Sequence, residues 1–317
     1  MEIFFYKMQG CGNDFIVFDN RNYRFSPEAL SRLAMQICKV HISVGSDALM
    51  VVDEPQSTGD FRMLFFNADG TQAEMCGNGA RCLARFAYEE GIAAKSMIIE
   101  TKAGLVPAWR EDQRTYRVRL NEPSEYRQNL PLLTTGLEKV VATMAESITF
   151  IDYVELGNPG IPHLVVGYPE LEETDLAQLA PLAKALRHWS ALPKGANVNF
   201  VSTTKVAQKD LPAVEKKSTD SGENDSAIAA NAVNTASQIM VRTYERGVED
   251  FTLACGTGSG SVAYSLVQRG LIASDTPVVI DVLGGQLVVA VNGKQLDLIG
   301  PTNIVVKGIL VDEDLDL

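Results

Sequence analysis

Cys76 and Cys255 occupy matched settings, and their residue types could do acid–base chemistry. Cys76 stands in Met75-Cys76-Gly77-Asn78-Gly79-Ala80 and Cys255 in Ala254-Cys255-Gly256-Thr257-Gly258-Ser259. Each opens an apolar run of helical spacing, and a glycine follows fifteen residues after each cysteine, at Gly91 and Gly270. Amide N–H groups at a helix start have no intrahelical acceptor and carry partial positive charge. They favour the thiolate of a cysteine placed there and can also hold a carboxylate. The pattern predicts one substrate carboxylate pinned between two helix starts, with a sulfur on each face of the adjacent carbon. A thiolate on one face would take the proton from that carbon while a thiol on the other returns one. Inversion of the centre follows.

The remaining cysteines read more plainly. Cys38 and Cys82 lie in apolar helical segments, where a free thiol acts as a small hydrophobe. Cys11 sits in a glycine-flanked turn. Five cysteines with irregular spacing make a poor disulfide framework and fit reduced, cytoplasmic thiols. Gly256-Thr257-Gly258-Ser259-Gly260 lacks the Lys-Ser/Thr ending of a P-loop, and no dinucleotide fingerprint follows a strand. Cys76 and Cys82 have no zinc-type partner and the three histidines are scattered, so no metal is expected. A net charge of −12 without a basic run argues against nucleic acid. No apolar run approaches the roughly 20 residues of a membrane span, and the N-terminus does not read as a signal peptide.

The elements that must position the cysteines repeat. In the first half, strands are predicted at 3–7 and 14–19, a helix from Pro27 capped by Ser26, and strands at 48–52 and 61–67. A helix over 79–90 and a strand meander at 97–101, 104–110 and 116–120 follow. Asn121-Glu122-Pro123 reads as a boundary. The second half offers strands at 148–156 and 163–167, a helix over 175–189, and strands at 197–201 and 239–244. A helix over 258–268 and a last hairpin at 277–282 and 286–291 close it. Asn67 and Arg246 each lie nine residues before their cysteine. Ile98-Ile99-Glu100-Thr101 aligns with Val279-Ile280-Asp281-Val282. Two copies of one αβ unit facing each other is the economical reading. The copies differ by an insert near 203–238, poor in groups that bury surface.

Six motifs resemble the diaminopimelate epimerase family: Gly12-Asn13-Asp14-Phe15, Phe66-Asn67-Ala68-Asp69-Gly70, Met75–Cys82, Gly157-Asn158-Pro159, Tyr244-Glu245-Arg246-Gly247 and Ala254–Gly258. They run in family order from residue 3 to about residue 310. The resemblance implies an α/β (α+β) fold of two pseudo-symmetric domains. Each would be a curved, mostly antiparallel sheet around a central helix, with the active site in the cleft between them. It divides the chain at 1–123 and 124–303, with a C-terminal strand at 304–317 completing the first domain.

The implied activity is interconversion of LL- and meso-2,6-diaminopimelate, without pyridoxal phosphate or any other cofactor, by a homodimeric cytoplasmic enzyme. By motif match, Cys76 and Cys255 are catalytic. Gly77, Asn78, Gly256 and Thr257 hold the reacting carboxylate. Asn13, Asn67, Asn158, Asn197, Glu245 and Arg246 line the rest of the site, and His163 and Glu245 tune the cysteines. Arg246 offers a planar fork for a second carboxylate. The chain departs from the family pattern at Ala48, where many members have Gln, in an opened Gly157–His163 segment, and in a longer Gly247–Cys255 segment. A racemase of another amino acid and a non-catalytic binding protein are the competing readings.

Overall fold

In the computed structural model, residues 2–132, 138–202, 238–311 and 315 are described. The expected insert lies outside the described residues except for Gln238. The first half comprises β1 (Ile3–Gly10), β2 (Asn13–Asp19), α1 (Pro27–Ile37), β3 (Ala48–Asp53), β4 (Phe61–Asn67) and β5 (Gln72–Ala73). It continues through α2 (Gly77–Glu89), β6 (Ser96–Thr101), β7 (Gly104–Arg110) and β8 (Thr115–Leu120). After β9 (Pro123–Arg127) and α3 (Lys139–Ala145), the second half repeats this order. It holds β10 (Phe150–Gly157), β11 (Gly160–Gly167), α4 (Leu176–Arg187), β12 (Asn197–Ser202), β13 (Gln238–Glu245) and β14 (Asp250–Thr252). Then come α5 (Gly256–Gln268), β15 (Val278–Val282), β16 (Gly285–Asn292), β17 (Gln295–Pro301) and β18 (Asn303–Leu310).

The repeat extends to pairing. A β1–β2 hairpin lies parallel to β3, whose partner β4 runs parallel to β6. Likewise the β10–β11 hairpin lies parallel to β12, whose partner β13 runs parallel to β15. The last strand of each unit crosses over: β9 pairs with β10, and β18 pairs with β1. β17 joins β8 across the middle, from Leu296 opposite Leu120 to Pro301 opposite Thr115. β17 is absent from the strands predicted after residue 291, although its Leu296 and Leu298 are both fully buried.

α1 forms where expected. Ser26 Oγ accepts from the Ala29 N–H at 3.2 Å, Pro27 fills the first turn, and Leu30, Leu33, Ala34 and Ile37 form one buried face. That face packs on β2, β3 and β4 through Ile16, Phe18, Leu49, Val51, Leu64 and Phe66. α4 covers the strands of the second half in the same way with Leu179, Leu182, Ala183 and Leu186. The inner faces of the strands of both halves, joined in one continuous sheet, close on α2 and α5 in one core that crosses between the halves. Enclosed by sheet, α2 buries every residue from Gly77 to Ala87, the polar Asn78, Arg81 and Arg85 among them. Both helices stop at the glycines seen in the sequence: Gly91 and Gly270 each have φ 69°, the left-handed conformation that ends a helix.

Candidate active site

The two central helices begin at residues 77 and 256, two positions earlier than their periodicity predicts, because the cysteines themselves cap them. Cys76 is extended (φ −134°, ψ 122°) and its Sγ accepts from the Gly79 N–H at 3.5 Å. Cys255 is extended (φ −113°, ψ 109°) and its Sγ accepts from the Gly258 N–H at 3.4 Å. Sulfur here does what a serine or aspartate oxygen does at an ordinary cap. The helix starts abut: a methyl added at Gly77 would lie 2.9 Å from Leu298 Cδ2 and 3.8 Å from the Gly256 Cα.

A cleft of ≈ 570 Å³ opens over both starts, a volume suited to a small ligand. From the first half, Asn13, Asn67, Cys76, Gly77 and Asn78 line it, as do Asp47 and Ala48. From the second half, Asn197, Glu245, Arg246, Cys255, Gly256 and Thr257 face them. Phe15, Phe65, Met75, Ile161, Phe251 and Leu253 supply apolar walls. Two residues named from the sequence are placed elsewhere. Asn158 is exposed at the tip of the β10–β11 hairpin and does not line the cleft. His163 is fully buried on β11 and does not line it either.

The polar lining is held by specific hydrogen bonds. Asn13, just past the Cys11-Gly12 turn, accepts from Cys76 Sγ at 3.5 Å through Oδ1 and donates to Asp47 Oδ2 at 2.6 Å. The Asp14 N–H donates to the same Asp47 oxygen at 3.0 Å, while the Asp47 N–H donates to Asp14 Oδ1 at 2.8 Å. Asn67 ends β4 opposite Ala48 and donates from Nδ2 to Thr71 Oγ1 at 3.0 Å. Asn197 Oδ1 accepts from the Arg246 N–H at 2.8 Å, and Arg246 Nη1 donates to the Lys194 carbonyl at 3.3 Å. Glu245 accepts from Thr252 Oγ1 at 2.9 Å. Asp47 and Thr252 escaped the sequence reading. Asp47 had a usable signal in Gly45-Ser46-Asp47, a turn-like triplet leading into a strand. Thr252 had none.

The electrostatics correct one expectation. Cap amides were expected to draw both cysteines toward thiolate. The amides do act that way, but burial outweighs them. Burial pushes the Cys76 thiol up to about 11; the Gly79 N–H opposes it, Glu245 adds to it, and the Asn78 N–H and Arg81 draw it down. Burial also pushes Cys255 up, Glu245 adds the next largest effect, and the Thr257 hydroxyl and Gly258 N–H oppose them. In the ligand-free cleft burial therefore opposes ionisation of both sulfurs. Glu245 is itself raised, chiefly by burial and further by Asp47, against the Thr252 hydroxyl. His163 is lowered to about 3 by burial, with Arg246 acting the same way. It stands as a neutral imidazole, its Nδ1 3.3 Å from Asn199 Nδ2 and its Nε2 without a hydrogen-bond partner.

Among the described residues no group of three or more His, Cys, Asp or Glu side chains could hold a metal ion. No helix of the described residues is long and apolar enough to cross a membrane.

Known proteins are similar to this one along nearly the whole chain. The family model for diaminopimelate epimerase matches residues 5–125 and 156–305. A diaminopimelate epimerase from Hydrogenobaculum sp. (strain Y04AAS1) is 36% identical over 96% of this chain and 97% of its own length. Another from Aquifex aeolicus is 34% identical over 98% of this chain and 99% of its own. Among solved structures, a PhzF-family phenazine biosynthesis protein of Bacillus anthracis superposes with a TM-score of 0.66 at 15% identity, covering 98% of this chain and 99% of that one. A probable proline racemase from Agrobacterium radiobacter gives 0.63 at 14% identity, covering 99% and 94%. At such identities the structural likeness establishes the fold alone.

Proposed function

The chain belongs to the diaminopimelate epimerase family of isomerases, and on that premise we propose that Cys76 and Cys255 are the acid and base that invert one α-carbon of 2,6-diaminopimelate. The observation that carries this reading is the pair of cysteine-capped helices whose starts abut beneath a single cleft. Backbone N–H groups of Gly77, Asn78, Gly256 and Thr257 hold the substrate α-carboxylate. Charge developing on that carboxylate as the α-proton leaves is stabilised by dipoles already in place. One sulfur, as thiolate, takes the α-proton and becomes a thiol. The opposite thiol delivers its proton to the other face of the carbanion and becomes the thiolate. Neither atoms nor charge change in number, and the roles exchange for the reverse reaction.

Burial and Glu245 oppose ionisation of both cysteines, and the substrate helps to make the thiolate. Its α-ammonium group, seated beside Glu245, cancels the negative charge that opposes ionisation of both sulfurs. Arg246 takes the distal carboxylate, and the amides of Asn13, Asn67 and Asn197 divide the remaining ammonium and carboxylate groups. Asn158 and His163 act from outside the cleft lining, Asn158 at its hairpin tip and His163 from the buried face of β11. The reading extends to interconversion of LL and meso forms without a cofactor, and to a cytoplasmic setting that keeps the cysteines reduced. A homodimer is supported by the exposed apolar residues Val305, Val306 and Ile309 of edge strand β18 and Phe4 of β1. Light scattering should give twice the chain mass, and Val306→Lys should halve it; a wild-type monomer refutes the dimer.

The test of the chemistry is exchange in deuterium oxide. Wild-type protein should invert LL-diaminopimelate and incorporate deuterium at the α-carbon, and Cys76→Ala and Cys255→Ala should each stop inversion. Near-normal inversion in either variant would refute the two-cysteine mechanism.

A further inference from the structure

Arg81 lies fully buried directly beneath the Cys76 helix start. Its Nη2 donates to Asn78 Oδ1 at 3.0 Å and its Nη1 to the Gly77 carbonyl at 3.4 Å. Its Nε is buried without a hydrogen-bond partner. Among the described residues no carboxylate pairs with it; the titratable groups that feel its charge are Cys11, Cys76 and Cys82. The space is shaped for it: a methyl at Gly10 would lie 3.3 Å from Nη2, and one at Gly300 would lie 3.2 Å from Nε. An unpaired cation taken fully out of water is costly, and the cleft-facing groups it holds are the ones that serve Cys76. Asn78 continues the link by donating from Nδ2 to the carbonyl of Ala254, next to Cys255, at 3.1 Å.

The second helix has no counterpart. The position five residues past Cys255 is Gly260, where a methyl would lie 2.7 Å from Leu120 Cδ1. The two halves thus repeat the sulfur and its amides but not the charge below them. Glu245, the remaining charged neighbour of both sulfurs, opposes their ionisation and does not restore the balance.

We propose that Arg81 is a positioning residue that makes the two cysteines unequal, its unpaired charge and its grip on Gly77 and Asn78 favouring the thiolate of Cys76 over that of Cys255. The guanidinium acts partly through space and partly through the peptide units it fixes, whose N–H groups face the sulfur. Cys76 is then the group that ionises first, and Cys255 the group that rests as acid. This inference rests on the two-cysteine reading only in naming which sulfurs matter.

The test is pH-dependent alkylation of the ligand-free protein by iodoacetamide, with each cysteine followed separately by peptide mass spectrometry. In the wild type, Cys76 should react at lower pH than Cys255. Arg81→Met should cut the Cys76 alkylation rate at a fixed pH by about tenfold or more, the effect of a nearby charge on a buried group, while Arg81→Lys should retain most of it. The wild-type order alone overturns the proposal if Cys255 reacts at the lower pH, so the test survives a variant that fails to fold. A folded Arg81→Met protein with Cys76 reactivity unchanged also overturns it. Because alkylation needs no turnover, these outcomes are separate from loss of inversion in the Cys76→Ala and Cys255→Ala proteins.

Discussion

Adding one methyl at Gly258 should disable the site, whereas adding one at the equivalent Gly79 should not. A Cβ at residue 258 would lie 2.3 Å from Asn199 Oδ1 and 3.2 Å from Cys255 Sγ. Ordinary contact is nearer 3.4 Å, so something must move by about 1 Å. Asn199 cannot easily yield. It donates to the Leu164 carbonyl at 2.8 Å, accepts from Thr243 Oγ1 at 2.9 Å and contacts His163 Nδ1. The helix start and its cysteine must move instead. Misplacement of a reacting group by about 1 Å costs on the order of 100-fold in rate. Stability should fall less, because overpacking costs about 1–3 kcal/mol and alanine returns up to about 1 kcal/mol of helix propensity. At Gly79 the obstacle is Met50, whose Cε would be 1.9 Å away. A thioether end can swing to another rotamer. The assay is epimerisation kcat beside urea unfolding. Gly258→Ala should lose about 100-fold in kcat with a modest shift in midpoint. Gly79→Ala should keep most of its kcat. Wild-type kcat in Gly258→Ala, or equal losses in both variants, would refute the argument.

Two further outcomes follow from buried charges. Asp152 is fully buried and accepts from Arg269 Nε at 2.6 Å and Nη2 at 2.5 Å, from Ser265 Oγ at 2.7 Å and from the Asn129 N–H at 2.9 Å. Asp152→Ala strands the Arg269 guanidinium and should cost about 3–5 kcal/mol in urea unfolding, with kcat retained below the transition. His163 holds its proton poorly when folded, at about 3 against an ordinary 6.5. The unfolded chain therefore binds more protons between these values, and stability that is complete above pH 6.5 is lost as pH falls toward 3. The slope should reach about 1.4 kcal/mol per pH unit, and His163→Gln should flatten it; an unchanged pH dependence in the variant counts against a neutral buried imidazole.

The parts of the site legible in the sequence were those built from local rules. A cysteine followed by Gly-x-Gly before an apolar run announces a cap, and a glycine fifteen residues on announces the end of the helix. Both readings describe the helices found, short only of the two residues that the sulfur cap recruits. What could not be read was set by distant packing. The rise of both thiols comes from enclosure by sheet and from Glu245 arriving on another strand. Arg81 has the type of a solvated helix residue, and its burial depends on close packing by residues far away in sequence, Gly10 and Gly300 among them. Asn158 sits in the turn between Gly157 and Gly160 and is open to solvent, whereas His163, opposite Val154 on β11, is turned into the interior. β17 was missed although it forms a hairpin with β16; its pairing with β8, in the other half of the chain, could not be read from local pattern.

The exchange of last strands also governs how the protein is made. Among the described strands β1 precedes all others and β18 follows them, and Ile3 lies opposite Leu310 along their ladder. The β1–β18 ladder cannot form until the chain through Leu310 has been synthesised. Until then β1 keeps one edge unpaired, an aggregation hazard carried through translation. Pairings so distant in sequence slow folding, so closure of β18 on β1 should be a late step that ties the two halves together.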